Sequence, residues 1–220
     1  MTKWLLKNPH SGSAERIEAL GPTIERAGIR VLSPETPAEL HRILREARLD
    51  CERLLIAGGD GTVHRVVNAM RGDFQRPPLA LIPLGTGNDL ARTLGIPFDP
   101  AEALELACTG APRPLDLLQV DTGGEPLFCV NVCAGGFSGD VTEAVGNRTK
   151  QAWGPLAYLR GAADSVADMP GYEVTLRYTS GSEERLTVLN LIIANGRTAG
   201  AGSPWRPQPT RGTACWRRWP

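Results

Sequence analysis

Apolar residues in the first half of the chain switch between two spacings. The short runs "WLLKN", "IRVLS", "RLLIA" and "LALIP" read as buried strands, while Val63, Val66, Val67 and Met70 recur at helical intervals. The same helical spacing predicts helices from about Ser13 to Ala27, from about Pro37 to Arg48, after Thr62, over "NDLARTL" and over "PAEALELAC". Strands that alternate with helices predict an α/β fold: an open, largely parallel sheet covered on both faces, spanning residues 1–112. In such a sheet a ligand binds at the carboxyl ends of the strands. Three loops of unusual composition fall at those ends, "NPHSGS", "GGDGT" and "PLGTGND", and they are expected to converge.

After about residue 113 the rhythm changes. "PLDLLQVDTGGEPLFCVNVCAGG" and "GYEVTLRYTSGSEERLTVLNLIIANG" read as strands joined by Gly-rich turns, and "GPLAYLRGAADSVADM" between them has helical spacing through Leu156, Leu159, Ala163 and Val166. Residues 113–202 are therefore expected to form a second, mainly antiparallel β-rich domain. The final segment, "SPWRPQPTRGTACWRRWP" over residues 203–220, holds three of the five Trp and has neither a period of 2 nor of 3.6, so it does not read as part of a sheet.

Charge changes the picture by exclusion. Lys plus Arg and Asp plus Glu are 24 each, so no net field draws the chain to nucleic acid. The five cysteines are odd in number and scattered without zinc spacing, which fits reduced thiols in a cytoplasmic protein. Cys129 and Cys133 alternate with apolar residues and read as buried strand positions. The apolar run near the N-terminus is too short for a signal peptide, and no stretch reaches the length of a membrane span. Any membrane contact would be peripheral and transient.

The candidate chemistry lies in "RLLIAGGDGTVHRVVNAM", where a strand breaks into Gly58-Gly59-Asp60-Gly61-Thr62 before a helix. Glycines permit positive φ and close approach of a ligand to main-chain N–H groups, and a helix start offers unpaired donors at a positive dipole end. A phosphate suits that combination; a tight turn with no ligand suits it too. Neither standard nucleotide fingerprint is present, since there is no G-x-x-x-x-G-K-[ST] and "GTGNDL" lacks the third glycine of a dinucleotide site.

Taken together, "NPHSG", "GGDGT", "PLGTGNDLARTLGIP", "RPLDLLQV" and "IIANGRTAGAG" resemble, in order and spacing, the diacylglycerol kinase catalytic-domain family, in particular its soluble bacterial lipid kinases. The resemblance runs from about Leu5 to Gly202. It implies a nucleotide-binding domain related to that of NAD kinases, a β-rich domain after it, and ATP-dependent phosphorylation of a lipid alcohol such as diacylglycerol with Mg2+. It also implies that Gly58, Gly59, Asp60, Gly61 and Thr62 wrap the ATP phosphates, that Thr86 and Asn88 contact them from the neighbouring loop, and that Asn8, Ser11 and Gly12 close the other side. Asp60 would be catalytic, either accepting the proton of the lipid hydroxyl or holding Mg2+; as a plain capping residue it would cap the helix that starts near Thr62. Asp89 reads equally as a helix cap, and Asp116 as a strand-end turn former. An NAD kinase-like phosphorylation of a soluble alcohol and a catalytically dead nucleotide-binding fragment are the alternatives.

The chain also departs from the family. Relatives usually carry Glu where Arg65 stands, and His64, His10 and His41 form no ligand set. Relatives continue beyond the tail's start with a "P-x-A-x-x-x-D-G-x-L-D" type segment that carries a magnesium-linked DG loop, so the resemblance implies that the β-rich domain of residues 113–202 is incomplete and that the expected metal ligands are absent from this chain. Written in GC-rich codons, preceded by the final G of Gly202 and read one base earlier, Ser203 to Trp216 permit "VAVAPAADPGDGLL" with one base of a further codon left over, which matches that segment up to its last residue. The tail is expected to be an out-of-frame translation. Resequencing across the codons for Gly200 to Pro204 checks this, and an intact read there would refute it.

Overall fold

The computed structural model describes residues 2–8, 14–121, 123–136, 171–199 and 203–204, in two units, 1–130 and 131–220. The first is built on a sheet of β1 (Thr2–Lys7), β2 (Arg30–Leu32), β3 (Cys51–Gly58) and β4 (Leu79–Pro83), in the order β2-β1-β3-β4 with every neighbouring pair parallel. The apolar runs form strands because alternate residues bury on opposite faces. Leu6, Leu54, Ile56 and Leu81 pack with helices α3 (Pro37–Asp50) and α4 (Asp60–Ala69). Leu5, Leu55, Ala57 and Ile82 pack with α1 (Ala14–Glu18), α2 (Gly21–Arg26) and α6 (Pro100–Thr109). Burial on both faces explains why these strands read as continuous apolar runs rather than as alternation.

The chain leaves β1 for β2 through α1 and α2 on one face, and leaves β2 for β3 through α3 on the other. The direction of winding therefore switches between β1 and β3, and the crevice at that switch is where an open parallel sheet binds ligands. Asn8 and Gly59 follow the two strands that frame it.

One expected helix is broken. The segment expected to be helical from Ser13 to Ala27 is two helices, separated at Ala19 and Leu20. Pro22 is the cause: it lacks an N–H and its ring would clash with the preceding turn, so it sits in the first turn of a new helix instead. The starts of α3 and α6 are capped by side chains. Thr36 accepts from the Glu39 N–H at 3.1 Å while Glu39 Oε2 accepts from the Glu35 N–H at 2.9 Å, a capping box shifted by one residue. Asp99 accepts from the N–H groups of Ala101 and Glu102.

The sequence pattern changes near residue 113, yet the hairpin of β5 (Leu118–Val120) and β6 (Leu127–Cys129) still falls in the first unit. Asn68 on α4 holds it there: its amide oxygen accepts from the Phe128 N–H at 2.8 Å and its amide nitrogen donates to the Phe128 carbonyl at 2.9 Å. A side-chain amide thus takes the place of a neighbouring strand. Cys129 is buried on β6, whereas Cys133 lies on β7 (Val132–Gly136) and is half-buried. The two cysteines therefore sit on separate strands, because the chain turns at Val130 and Asn131.

In the second unit β7 pairs antiparallel with β10 (Asn190–Ala194), and β8 (Tyr172–Arg177) pairs antiparallel with β9 (Glu183–Val188). The antiparallel expectation holds for these strands. Two residues of the tail, Ser203–Pro204 (β12), pair antiparallel with Thr198–Ala199 (β11), so the first residues of that segment do join a ladder. The helical pattern at 156–166 and the tail beyond residue 204 lie outside the described residues.

Candidate functional site

At the carboxyl edge of the sheet, β3 ends at Gly58, Gly59 caps α4, and Asp60 is already the first helical residue. The glycines serve packing rather than handedness, since none of Gly58, Gly59 and Gly61 has a positive φ. A Cβ on Gly58 would lie 2.5 Å from Thr62 Oγ1. A Cβ on Gly59 would lie 3.0 Å from the Cα of Gly85, and one on Gly85 would lie 2.6 Å from the Cα of Gly59. The "GGDGT" turn and the "PLGTGND" loop therefore touch backbone to backbone. Gly61 differs: it is exposed, and a Cβ there would meet nothing within 4 Å.

Hydrogen bonds lock the same contact. The Leu84 N–H donates to the Gly58 carbonyl at 3.1 Å. Asn88, in the left-handed region at φ 53°, accepts from the Gly85 N–H at 2.9 Å and donates to the Gly85 carbonyl at 2.6 Å. Asn tolerates that conformation better than other non-glycine residues, and here its side chain closes the loop upon itself.

Asp60 is the link between the two loops. Its two carboxylate oxygens accept from the backbone N–H groups of Asp89 and Leu90, each at 3.0 Å, so it caps α5 (Asp89–Leu94) rather than its own helix. A carboxylate at a helix N-terminus satisfies donors that have no intrahelical partner and faces the positive end of the dipole. Asn88 occupies the cap position of α5 but makes no side-chain cap bond, and Asp89 is the first helical residue. That assignment replaces the reading of Asp89 as the cap.

No side chain caps α4 itself. Its opening N–H groups lie next to the exposed face of Gly61, at the switch between β1 and β3. Beside them a cleft is lined by Lys7, Asn8, Glu35, Thr36, Thr62 and Arg65 over an apolar wall of Leu6, Leu40 and Val66. Thr62, Arg65 and Val66 reach it together because residues three and four apart share a helix face.

The predicted residues are partly united by this geometry. Asn8 and Thr62 line the cleft; Gly58, Gly59, Asp60, Gly61 and Asn88 build the paired loops; Thr86 is exposed on the second loop. Ser11 and Gly12 lie outside the described residues. Asp116 is exposed in the irregular stretch before β5. His64 is exposed, with Nδ1 3.4 Å from the Asn68 amide nitrogen. Lys7, Glu35 and Thr36 were not picked out by pattern; the T-P-A-E capping signal at 36–39 was available to place Thr36 at the sheet's edge. Cys51, Cys108, Cys129 and Cys133 are not in disulfides. Burial pushes the thiols of Cys51 and Cys108 up from their ordinary range, which disfavours the reactive thiolate. Among the described residues, no group of three or more His, Cys, Asp or Glu side chains is placed to hold a metal ion.

Comparison with known proteins bears on the same residues. The family model for the diacylglycerol kinase catalytic domain matches residues 3–120, which contain both loops and the cleft. A Xanthomonas oryzae protein named "Probable lipid kinase YegS-like" is 33% identical over 93% of this chain and 68% of its own length. A protein of the same name from Pseudomonas putida is 38% identical over 70% of this chain and 50% of its own length. The crystal structure of a diacylglycerol kinase from Bacillus anthracis superposes with a TM-score of 0.67 at 23% identity, covering 93% of this chain and 67% of that one.

Proposed function

This chain belongs to the diacylglycerol kinase catalytic-domain family, and on that premise we propose that it transfers the γ-phosphoryl group of ATP to the hydroxyl of a lipid alcohol such as diacylglycerol. The observation that carries the nucleotide half of this reading is the uncapped start of α4 beside the open face of Gly61, at the winding switch of the sheet. Helix N–H donors with room in front of them suit a phosphate. Thr86 is exposed on the second loop, where it can meet the phosphates, Asn88 supports that loop by closing it on Gly85, and Asn8 lines the cleft at the end of β1.

In the transfer, the lipid oxygen bonds to the γ-phosphorus, the bond from that phosphorus to the β,γ-bridging oxygen breaks, ADP leaves, and the hydroxyl proton passes to a base. Such transfers depend on positioning and on electrostatic stabilisation more than on covalent chemistry by the protein. Asp60 serves positioning by holding the two loops together. Magnesium accompanies ATP in this family; the described residues do not form a cage for it. Among the described residues no helix is long and apolar enough to cross a membrane, so the lipid would be met at the membrane surface.

Two measurements test the reading. Labelled ATP is supplied with magnesium and either diacylglycerol in detergent or NAD. Label in the lipid fraction is expected; label in NAD alone would favour a soluble-alcohol kinase, and nucleotide binding without transfer to either would overturn the kinase reading. Gly61→Val is then expected to leave the thermal midpoint unchanged, because the added side chain meets no protein atom within 4 Å at its Cβ. ATP affinity should fall by about tenfold or more, equivalent to ~1.4 kcal/mol, because the side chain fills the phosphate space. Unchanged affinity by calorimetry would show that this turn does not hold phosphate.

A further inference from the structure

Two cationic side chains line the cleft beside the phosphate-facing turn, and the reading above gives neither a task. Lys7 ends β1, and Arg65 lies on α4 on the same face as Thr62 and Val66. Some surface arginines are matched with carboxylates, as in Arg42 with Glu46, Arg48 with Asp73 and Arg71 with Glu125. Among the described residues Arg65 and Lys7 have no such ion pair. Glu35 lines the same cleft, and its backbone N–H donates to Glu39 Oε2 at 2.9 Å. Two cations facing one carboxylate, next to an uncapped helix start, give the cleft a local positive field although the chain as a whole is neutral.

The chemistry of the two side chains is complementary. A guanidinium offers a planar fork of donors that matches two oxygens of one phosphate, and an ammonium offers a compact charge on a flexible stem. We propose that Arg65 and Lys7 bind the terminal phosphates of the nucleotide from the cleft side, so that the chain holds a triphosphate even without a divalent cation. The proposal rests on the reading of the "GGDGT" turn as a nucleotide site and deepens it. It makes affinity depend on the number of phosphates rather than on the base, because the cations face the cleft and the helix donors face the turn.

Calorimetric titration of the full chain in EDTA with ATP, ADP, AMP and inorganic tripolyphosphate tests this. Affinity should rise with the number of phosphates, and tripolyphosphate should bind without any base. Arg65→Gln and Lys7→Gln should each weaken ATP and tripolyphosphate by about tenfold, leave AMP unchanged and leave the thermal midpoint in place; Arg65→Lys should restore part of the loss. If the unaltered chain binds ATP and Arg65→Gln binds it equally well, the pair takes no part and the nucleotide site stands. An equal loss for AMP would make Arg65 a support of the cleft wall and overturn the proposal. If the unaltered chain binds none of the four, with or without magnesium, both the proposal and the nucleotide reading fall.

Discussion

Asp60→Asn is expected to lower the thermal midpoint and ATP affinity together. The change looks conservative because shape is kept, yet the carboxylate accepts from two backbone N–H groups at once, those of Asp89 and Leu90. An amide keeps only one acceptor, so its NH2 would face an N–H of α5 and leave that donor unsatisfied. A buried donor stripped of its partner costs about 1–3 kcal/mol. In a chain of 220 residues each kcal/mol moves the midpoint by roughly 2–4 °C. The released loop would also lose its register against "GGDGT", so the phosphate-facing groups would no longer converge. A proton-accepting role gives a different pattern: the transfer rate alone falls by ~10²–10⁴-fold while midpoint and ATP affinity stay fixed. Asp60→Asn with unaltered midpoint and affinity would show that the carboxylate does not hold the loops.

The first unit was legible because each of its elements carries its own local signal. The "LALIP" run at 79–83 is β4 as expected, and the capping Thr36 and Asp99 mark the starts of α3 and α6. Burial on both faces made the strands unambiguous, and the strand–helix alternation fixed the parallel order. The break between α1 and α2 was signalled by Gly21-Pro22, which the apolar spacing of Ile17, Leu20 and Ile24 overrode; those three residues do share one cluster across the break. Tertiary partners are another matter. Nothing within "GGDGT" indicates that its aspartate caps a helix 29 residues later, because that bond exists only once β3 and β4 pair. The same holds for Asn68, whose amide completes a hairpin 60 residues away. The glycines were visible, but their reason was not: composition suggested freedom of φ, while the structure shows close approach. Likewise Arg65 stood out as a departure from the family, and only the fold sets it beside Lys7.

Close approach makes a graded prediction for the three glycines of the site. Gly85→Ala should be the most damaging, because its Cβ would fall 2.6 Å from the Cα of Gly59 and 2.9 Å from Asn88 Oδ1. Backbone stands on one side and the loop-closing amide on the other, and neither is the free end of a flexible side chain. Relief requires the two loops to separate, which breaks the Leu84 and Asn88 bonds and moves α5 away from Asp60. Overpacking of this kind costs typically ~1–3 kcal/mol and occasionally more. Gly59→Ala approaches the same Cα at 3.0 Å, which a shift of a few tenths of an ångström relieves, so its cost should be smaller. Gly61→Ala meets nothing within 4 Å and, inside a helix, should be neutral or stabilising by roughly 0.5–1 kcal/mol. Urea unfolding of the three variants checks the order, and nucleotide titration follows it through to the site: Gly85→Ala should lose ATP binding through displacement of the loop, whereas Gly61→Ala should keep the fold and weaken ATP only by crowding the phosphate. Equal stability of Gly85→Ala and the unaltered chain would mean that the two loops do not meet, and the convergence on which the site depends would be wrong.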